Sequence, residues 1–167
     1  DFTWILDPLD GTRSFICGTP TWMTLVGVRH DGRMIAGAAG QPFTDEIFSG
    51  SEAGAHLLRT DQKNQLRCTS ETDIGKVLAG TTAPYLFRKH GHEERLMRIE
   101  NAVQHLRFDA DSYFHCMVAA GQLGISIDTT KGLNLGPMTS FARISSISRA
   151  RESPSSESRI SLRRCFW

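Results

Sequence analysis

The chain has 167 residues, 40% of them hydrophobic, and a formal net charge of +1 at pH 7. Such a length can bury the core of one domain, and the balanced charge provides no basic field that would attract nucleic acid. No apolar run approaches the roughly 20 residues that span a membrane. We therefore expect neither nucleic acid nor a membrane as a partner.

The cysteines are widely spaced and form no CxxC pair: Cys17, Cys68, Cys116 and Cys165. Disulfide frameworks and zinc sites are recognised by closely spaced, recurring cysteines. The spacing here favours reduced thiols, which are typical of an intracellular compartment. We therefore expect a cytoplasmic protein.

The first sixty residues predict an antiparallel meander. An apolar run over residues 2–6 predicts a buried strand that leads into a turn. Residues 21–29 and 34–40 predict two strands, and the Asp31-Gly32 pair between them is typical of a tight hairpin turn. A second hairpin is predicted over residues 46–58. Consecutive strands of this kind favour a sheet that folds back and forth beside the turn.

The second half of the sequence predicts alternating helices and short strands. Residues 92–104 are rich in helix formers and place Leu96, Ile99 and Val103 on one face, which predicts an amphipathic helix. The other predictions are a surface loop at 61–73, strands at 77–82, 106–108 and 123–128, a turn at 83–87, and a buried helix at 114–121.

The stretch Asp7-Pro8-Leu9-Asp10-Gly11-Thr12 carries the clearest chemistry in the chain. Two carboxylates lie three residues apart, and Pro8 between them fixes its own φ, so the turn is stiff. Carboxylate oxygens suit a hard divalent cation, and backbone N–H groups at the start of a helix suit a phosphate. The alternative is an ordinary Asp/Pro/Gly turn after a strand.

This stretch resembles the signature of the inositol monophosphatase superfamily of Mg²⁺-dependent phosphatases. The continuation from Arg13 to Trp22 looks most like the histidinol-phosphatase branch, as do Gln41-Pro42 and the stretches 81–87 and 119–122. The resemblance covers residues 1–137. It implies an α/β fold, the layered α/β/α/β/α sugar-phosphatase arrangement, in incomplete form.

The resemblance also implies roles for the residues of the turn. Asp7 and Asp10 would be side-chain ligands of Mg²⁺, and the Leu9 carbonyl would be a backbone ligand. Thr12 would help to orient the attacking water, so Asp7, Asp10 and Thr12 form the implied catalytic set. Backbone N–H groups of Gly11 and Thr12 would bind the phosphate, and glycine suits position 11 because a side chain would block close approach.

Further residues are candidates for the substrate side. Asp111 would pair with the amino group of histidinol phosphate; the alternative is that it caps the following helix. Arg13 would contact phosphate or substrate; the alternative is a surface charge. Asp128 corresponds loosely to an acidic substrate-side residue of the family. His115 lies on an apolar helix, where a core role is more common than metal binding.

After Pro137 the composition changes abruptly. Residues 138–167 are rich in serine and arginine and lose apolar periodicity, so we expect a disordered or out-of-frame tail behind a partial phosphatase domain at 1–137. The family continues instead with Pro-Tyr-Asp, whose Asp is a metal ligand. Met is always encoded by ATG and every Thr codon begins with AC, so the codons of Met138 and Thr139 begin ATGAC. A reading frame that starts one nucleotide before the Thr139 codon therefore contains GAC, an Asp codon.

The resulting hypothesis is Mg²⁺-dependent hydrolysis of a phosphate monoester, with histidinol phosphate, an intermediate of histidine biosynthesis, as the first choice. An inositol phosphate or a 3′-phosphoadenosine nucleotide is the alternative substrate. A catalytically inactive truncated remnant is a further alternative, because the family's upstream Glu and downstream Asp are missing from the printed sequence. The expected partner is a small phosphorylated metabolite, and the resemblance is compatible with a homodimer.

Overall fold

The computed structural model describes residues 1–129. The first half forms a six-stranded antiparallel sheet in which the strands neighbour one another in sequence order, so the predicted meander is confirmed. A short helix, α1 (Thr12–Cys17), lies between the first two strands. The strands are β1 (Phe2–Asp10), β2 (Met23–His30), β3 (Arg33–Gln41), β4 (Glu46–Ser51), β5 (Gly54–Arg59) and β6 (Gln62–Gln65).

The second half forms a parallel three-stranded sheet with the order β8-β7-β9. Parallel neighbours need crossover connections, and the helices between these strands supply them. The strands are β7 (Leu78–Thr81), β8 (His105–Phe108) and β9 (Ile125–Ser126), and the helices are α2 (Pro84–Lys89), α3 (Glu93–Ala102) and α4 (Asp111–Ala119).

The predicted Asp-Gly hairpin turn joins β2 to β3. Asp31 has a φ of 46° and Gly32 a φ of 81°. Two consecutive positive φ values are what a two-residue hairpin turn of type I′ requires, because its twist matches that of the flanking strands. The prediction of this turn is therefore confirmed.

The main core lies between the six-stranded sheet and α4. Alternate residues of a strand face the same side, so Met23 and Leu25 of β2 point with Phe48 of β4 toward the helix. Cys116 and Ala119 fill the helix side of this core. The packing holds α4 across the sheet and thereby fixes the place of its first turn.

A second core lies between α2, α3 and the small sheet. Phe87, Leu96 and Ile127 are its buried members, and Ile99 and Leu106 pack against them. The predicted amphipathic helix is thus confirmed over Glu93–Ala102, with its apolar face toward the sheet.

Helix α4 packs on both sheets. On the side away from the main core, Phe114 lies so close to Gly80 of β7 that an added Cβ would come within 2.6 Å of the ring. Since α2 and α3 cover the opposite face of the small sheet, the described residues form layers in the order β/α/β/α. The predicted α/β fold is confirmed, with four of its five layers present in residues 1–129.

Strand β1 is longer and more exposed than the sequence predicts. It continues to Asp10 and so contains the predicted turn. Phe2, Trp4 and Leu6 are 66%, 66% and 65% exposed. The prediction of a buried strand is wrong here, because these side chains alternate onto the sheet face that points away from α4.

Three boundaries also differ from the predictions. The polar stretch 61–73 contains the edge strand Gln62–Gln65, which can be polar because all four residues are exposed. The predicted turn at 83–87 is the helix Pro84–Lys89, whose proline suits the first helical position. The helix predicted from residue 114 begins at Asp111.

No helix within residues 1–129 has the length and apolar character needed to cross a membrane. Cys17 and Cys116 are free cysteines, as the spacing predicts. The expected boundary at Pro137 and the tail at 138–167 lie outside the described residues.

Candidate metal and phosphate site

The predicted turn is a bulge within β1. Asp7 pairs with Leu25 and Asp10 pairs with Met23, so an advance of three residues in β1 lies opposite an advance of two residues in β2. Pro8 cannot donate to the strand ladder, and a bulge of this kind bends a strand and redirects its side chains. The Thr24 hydroxyl donates to the Pro8 carbonyl over 3.0 Å, which ties the bulge to β2.

Short hydrogen-bonded links connect the oxygen-bearing groups of the turn. The Leu9 N–H donates to Asp7 Oδ1 over 3.3 Å. The Thr12 hydroxyl donates to the Leu9 carbonyl over 3.2 Å. These bonds join Asp7 and Leu9, two of the three predicted ligands, to the predicted catalytic residue Thr12. The side chain of Thr12 is exposed.

Gly11 is the point at which the turn meets the second half of the molecule. Its φ of 75° lies in the left-handed region, which favours glycine. A Cβ at this position would lie 3.2 Å from both Asp111 Oδ2 and Trp22 Cα. The positive φ favours glycine and the tight packing adds to this preference, and the packing brings the predicted substrate residue Asp111 to the turn.

Asp10 also contacts the second half of the chain. Its Oδ2 accepts a hydrogen bond of 3.0 Å from the Ser112 N–H in the first turn of α4. Burial raises the pKa of Asp10, the bonds from Ser112 oppose this rise, and the nearby Asp7 carboxylate adds to it. A cation would stabilise the ionised form of such a carboxyl. Sequence analysis missed Ser112, because its contact joins distant parts of the chain.

Asp111 is the first residue of α4 and not its cap. The N-cap is Ala110, which has no side-chain capping bond, and Asp111 has a positive φ of 36°. The capping alternative is therefore wrong. Burial raises the pKa of Asp111, and the neighbouring carboxylate of Asp10 raises it further. A cationic group brought to this place would relieve the repulsion.

Asp128 is held by partners inside the protein. Its Oδ1 accepts bonds from the Thr82 N–H and hydroxyl over 3.2 and 2.7 Å. Its Oδ2 lies 3.3 Å from His115 Nε2. Burial raises the pKa of Asp128, but the bonds from His115 and Thr82 outweigh it and leave the pKa below its ordinary value. His115 is thus the partner of a carboxylate and not a plain core histidine.

Arg13 follows Thr12 on α1 and has an exposed side chain. Its guanidinium carbon lies 4.6 Å from the centroid of the Tyr85 ring in α2, a cation–π contact. The contact links the helix after the turn to the helix after β7. Contact of Arg13 with phosphate or substrate stays a prediction.

The donor set of the turn fits a hard divalent cation. Two carboxylates and the Leu9 carbonyl offer oxygen donors, and Mg²⁺ is commonly bound through one or two carboxylates together with waters and phosphate oxygens. Within residues 1–129 no three His, Cys, Asp or Glu side chains are grouped around one metal position.

Comparison with known proteins relates this geometry to a family. The family model described as the inositol monophosphatase family matches residues 1–134. An inositol-1-monophosphatase of Mycobacterium bovis is 33% identical over 124 residues, which cover 72% of this chain and 43% of that protein. A histidinol-phosphatase of Chlorobaculum parvum is 28% identical over 125 residues, which cover 75% of this chain and 47% of that protein. The chain thus spans less than half the length of these relatives.

A solved structure shares the fold. Mycobacterium tuberculosis SuhB matches with a TM-score of 0.71 at 32% sequence identity, covering 77% of this chain and 53% of that one. The resemblance expected from the sequence is therefore confirmed, and the chain belongs to the inositol monophosphatase family.

Proposed function

We propose that this chain carries the cation and phosphate turn of a Mg²⁺-dependent phosphomonoesterase, and that histidinol phosphate is its substrate. The observation that carries the proposal is the packing of the Asp111 carboxylate against Gly11. Asp111 Oδ2 lies 3.2 Å from the position that a Cβ on residue 11 would occupy. With an acidic group packed against Gly11, one small ester bound at the turn would contact both.

The reaction needs charge neutralisation and an activated water, because phosphate monoesters hydrolyse extremely slowly unaided. Bound Mg²⁺ supplies both, by polarising phosphoryl oxygens and lowering the pKa of a bound water. Asp7, Asp10 and the Leu9 carbonyl would hold the ion. The bond from the Leu9 N–H restricts the Asp7 carboxylate before any ion binds, which would reduce the reorganisation needed on binding.

Thr12 and Gly11 would act on the water and the phosphate. The Thr12 hydroxyl donates its proton to the Leu9 carbonyl, so its lone pairs can accept a hydrogen bond from a water beside the turn. Gly11 has a left-handed φ and Thr12 begins a helix. Residues in successive left- and right-handed conformations can present neighbouring N–H groups to one anion, which supports a phosphate-binding role for Gly11 and Thr12.

Asp111 would favour a substrate with a cationic group. Burial and the Asp10 carboxylate raise its pKa, and the amino group of histidinol phosphate would offset that repulsion. The second candidate substrate is an inositol phosphate, whose ring is uncharged. Sequence identity supports it, since the relative named inositol-1-monophosphatase is 33% identical and the relative named histidinol-phosphatase is 28% identical.

A substrate panel tests the choice. Release of inorganic phosphate is measured with histidinol phosphate, inositol 1-phosphate and a 3′-phosphoadenosine nucleotide at one Mg²⁺ concentration. We expect the highest kcat/KM for histidinol phosphate. Asp111→Asn should lower that value about tenfold to a hundredfold, the cost of one hydrogen bond to a charged group, with little change for inositol 1-phosphate. Asp61→Asn, at an exposed carboxyl, is the control.

The possible results separate the hypotheses. A higher kcat/KM for inositol 1-phosphate would establish the second candidate. An equal loss on both substrates in Asp111→Asn would contradict the proposed role of this carboxylate. A folded chain that releases phosphate from no substrate would favour the inactive remnant.

A further inference from the structure

Helix α4 is capped by a residue from a distant strand. Its own N-cap, Ala110, offers no capping side chain, and the first N–H groups of a helix lack partners within it. Asp10, at the end of β1, accepts the Ser112 N–H over 3.0 Å. A carboxylate there satisfies the helix as an N-cap side chain does, and its charge complements the helix dipole.

Ser112 holds this carboxylate with two donors. Both its N–H and its hydroxyl bond to Asp10, and both bonds favour the ionised carboxylate. The ionised form is the one that a metal ligand must have. Since Ser112 is only 4% exposed, water does not readily replace its hydroxyl. The two bonds therefore restrict how the Asp10 carboxylate can turn.

The first turn of α4 is itself anchored to the six-stranded sheet. The Tyr113 hydroxyl donates to Glu46 Oε2 over 2.7 Å. Glu46 is buried and pairs with Arg59 at 2.5 Å. Burial and the Glu46 carboxylate raise the pKa of Tyr113 to about 12, so its hydroxyl remains a donor at neutral pH. Ser112, the preceding residue, thus presents its donors from a fixed support.

We propose that Ser112 is a positioning residue for the cation turn: it holds Asp10 in the orientation that binds the ion, and Asp10 in return caps α4. The inference rests on the proposed function, because only there is Asp10 a metal ligand. The same helical turn carries Asp111, so the cation ligand and the substrate-side carboxylate share one support. Binding of the cation should therefore be sensitive to a residue that never touches it.

Magnesium affinity is the first test. Ser112→Ala in the 167-residue chain removes one donor to Asp10 and keeps the N–H. Calorimetric titration should show a Kd for Mg²⁺ about tenfold higher than that of the unmodified chain, the lower end of what hydrogen-bond partners of metal ligands contribute. Ser14→Ala is the matched control, because the buried Ser14 hydroxyl has no hydrogen-bond partner within the described residues. Equal Kd values in the two variants would overturn the proposal.

Hydrogen exchange without metal is the second test. Asp10→Ala should speed amide exchange at residues 112–114 roughly fivefold, as expected for the loss of an N-cap. Asp7→Ala is the matched control, because Asp7 bonds within its own turn. Equal exchange rates in the two variants would overturn the capping role. If the unmodified chain binds no Mg²⁺, the proposed function and the ligand role of Asp10 both fail, while exchange still decides whether Asp10 caps α4.

Discussion

The turn that we assign to the cation and the residues that we assign to the substrate are built in different ways. The turn consists of consecutive residues from Asp7 to Thr12, and its internal hydrogen bonds join residues two or three positions apart. The substrate side takes Thr82, Asp111 and Asp128 from separate elements, and its hydrogen bonds join residues 46 positions apart. Local chain geometry makes the first, whereas the packing of α4 between two sheets makes the second. Of the groups in the turn, Asp10 also depends on α4, through its bond to Ser112. Changes in the packing of α4 should therefore weaken the Asp10 ligand, and should damage the substrate side more than Asp7, Leu9 and Thr12.

The largest expected effect comes from removing a ligand of the turn. Asp7→Ala deletes a carboxylate that the proposal gives to Mg²⁺, without touching α4. Phosphate release should fall at least about a hundredfold in kcat, the scale seen when one preorganised electrostatic contact is lost. The measurement is kcat for histidinol phosphate at saturating Mg²⁺, with Asp61→Ala as the control. An unchanged kcat would contradict the ligand role of Asp7.

Overpacking beneath α4 should affect the substrate side. Gly80→Ala places a Cβ 2.6 Å from the Phe114 ring, so the ring, and with it α4, must shift away from β7. We expect a loss of about 1–3 kcal/mol in the free energy of unfolding, and a KM for histidinol phosphate that rises more than the Kd for Mg²⁺. Urea denaturation measures the free energy of unfolding. Titrations with histidinol phosphate and with Mg²⁺ measure the KM and the Kd.

The control for this change is Gly40→Ala in the six-stranded sheet. A Cβ at Gly40 would meet its nearest neighbour, the Thr24 carbonyl oxygen, at an ordinary 3.9 Å. Stability should therefore change by less than about 0.5 kcal/mol. A rise in the Kd for Mg²⁺ as large as the rise in KM would show that the turn depends on the packing of α4 as much as the substrate side does.

The smallest expected effects are changes in the free energy of unfolding, and they have opposite signs at the carboxylates of Asp128 and Asp111. The pKa of Asp128 lies below its ordinary 3.8, so its ionised form stabilises the fold at neutral pH, and this contribution is lost as pH falls below about 3.8. The pKa of Asp111 is raised, so its ionisation costs stability once pH rises above the folded-state pKa. Without metal at pH 7, Asp128→Asn should lower the free energy of unfolding and Asp111→Asn should raise it. Changes of the same sign in urea denaturation would contradict this difference.

The turn could be predicted from the sequence because six adjacent residues contain its chemistry. Pro8 stiffens it, and Gly11 signals a place where a side chain cannot fit. The structure adds a positive φ and the approach of Asp111 as the reasons for that glycine. The helix Glu93–Ala102 could also be predicted, since the spacing of its apolar residues is local.

Contacts made by packing left no such pattern. Ser112 and Asp10 meet only after α4 has docked on the sheet, and the pair His115 and Asp128 forms only beside the end of β7. The apolar residues of β1 could not reveal which side of the sheet they face, so their exposure was missed. The substrate, the homodimer and the cytoplasmic location stay predictions.

One titration decides whether the turn binds a cation. Calorimetry of the 167-residue chain with Mg²⁺ should show saturable binding in the millimolar range, which Asp7→Ala and Asp10→Ala abolish and Asp61→Ala preserves. No binding by the unmodified chain, or undiminished binding by both ligand variants, would contradict the assignment of the cation to Asp7 and Asp10.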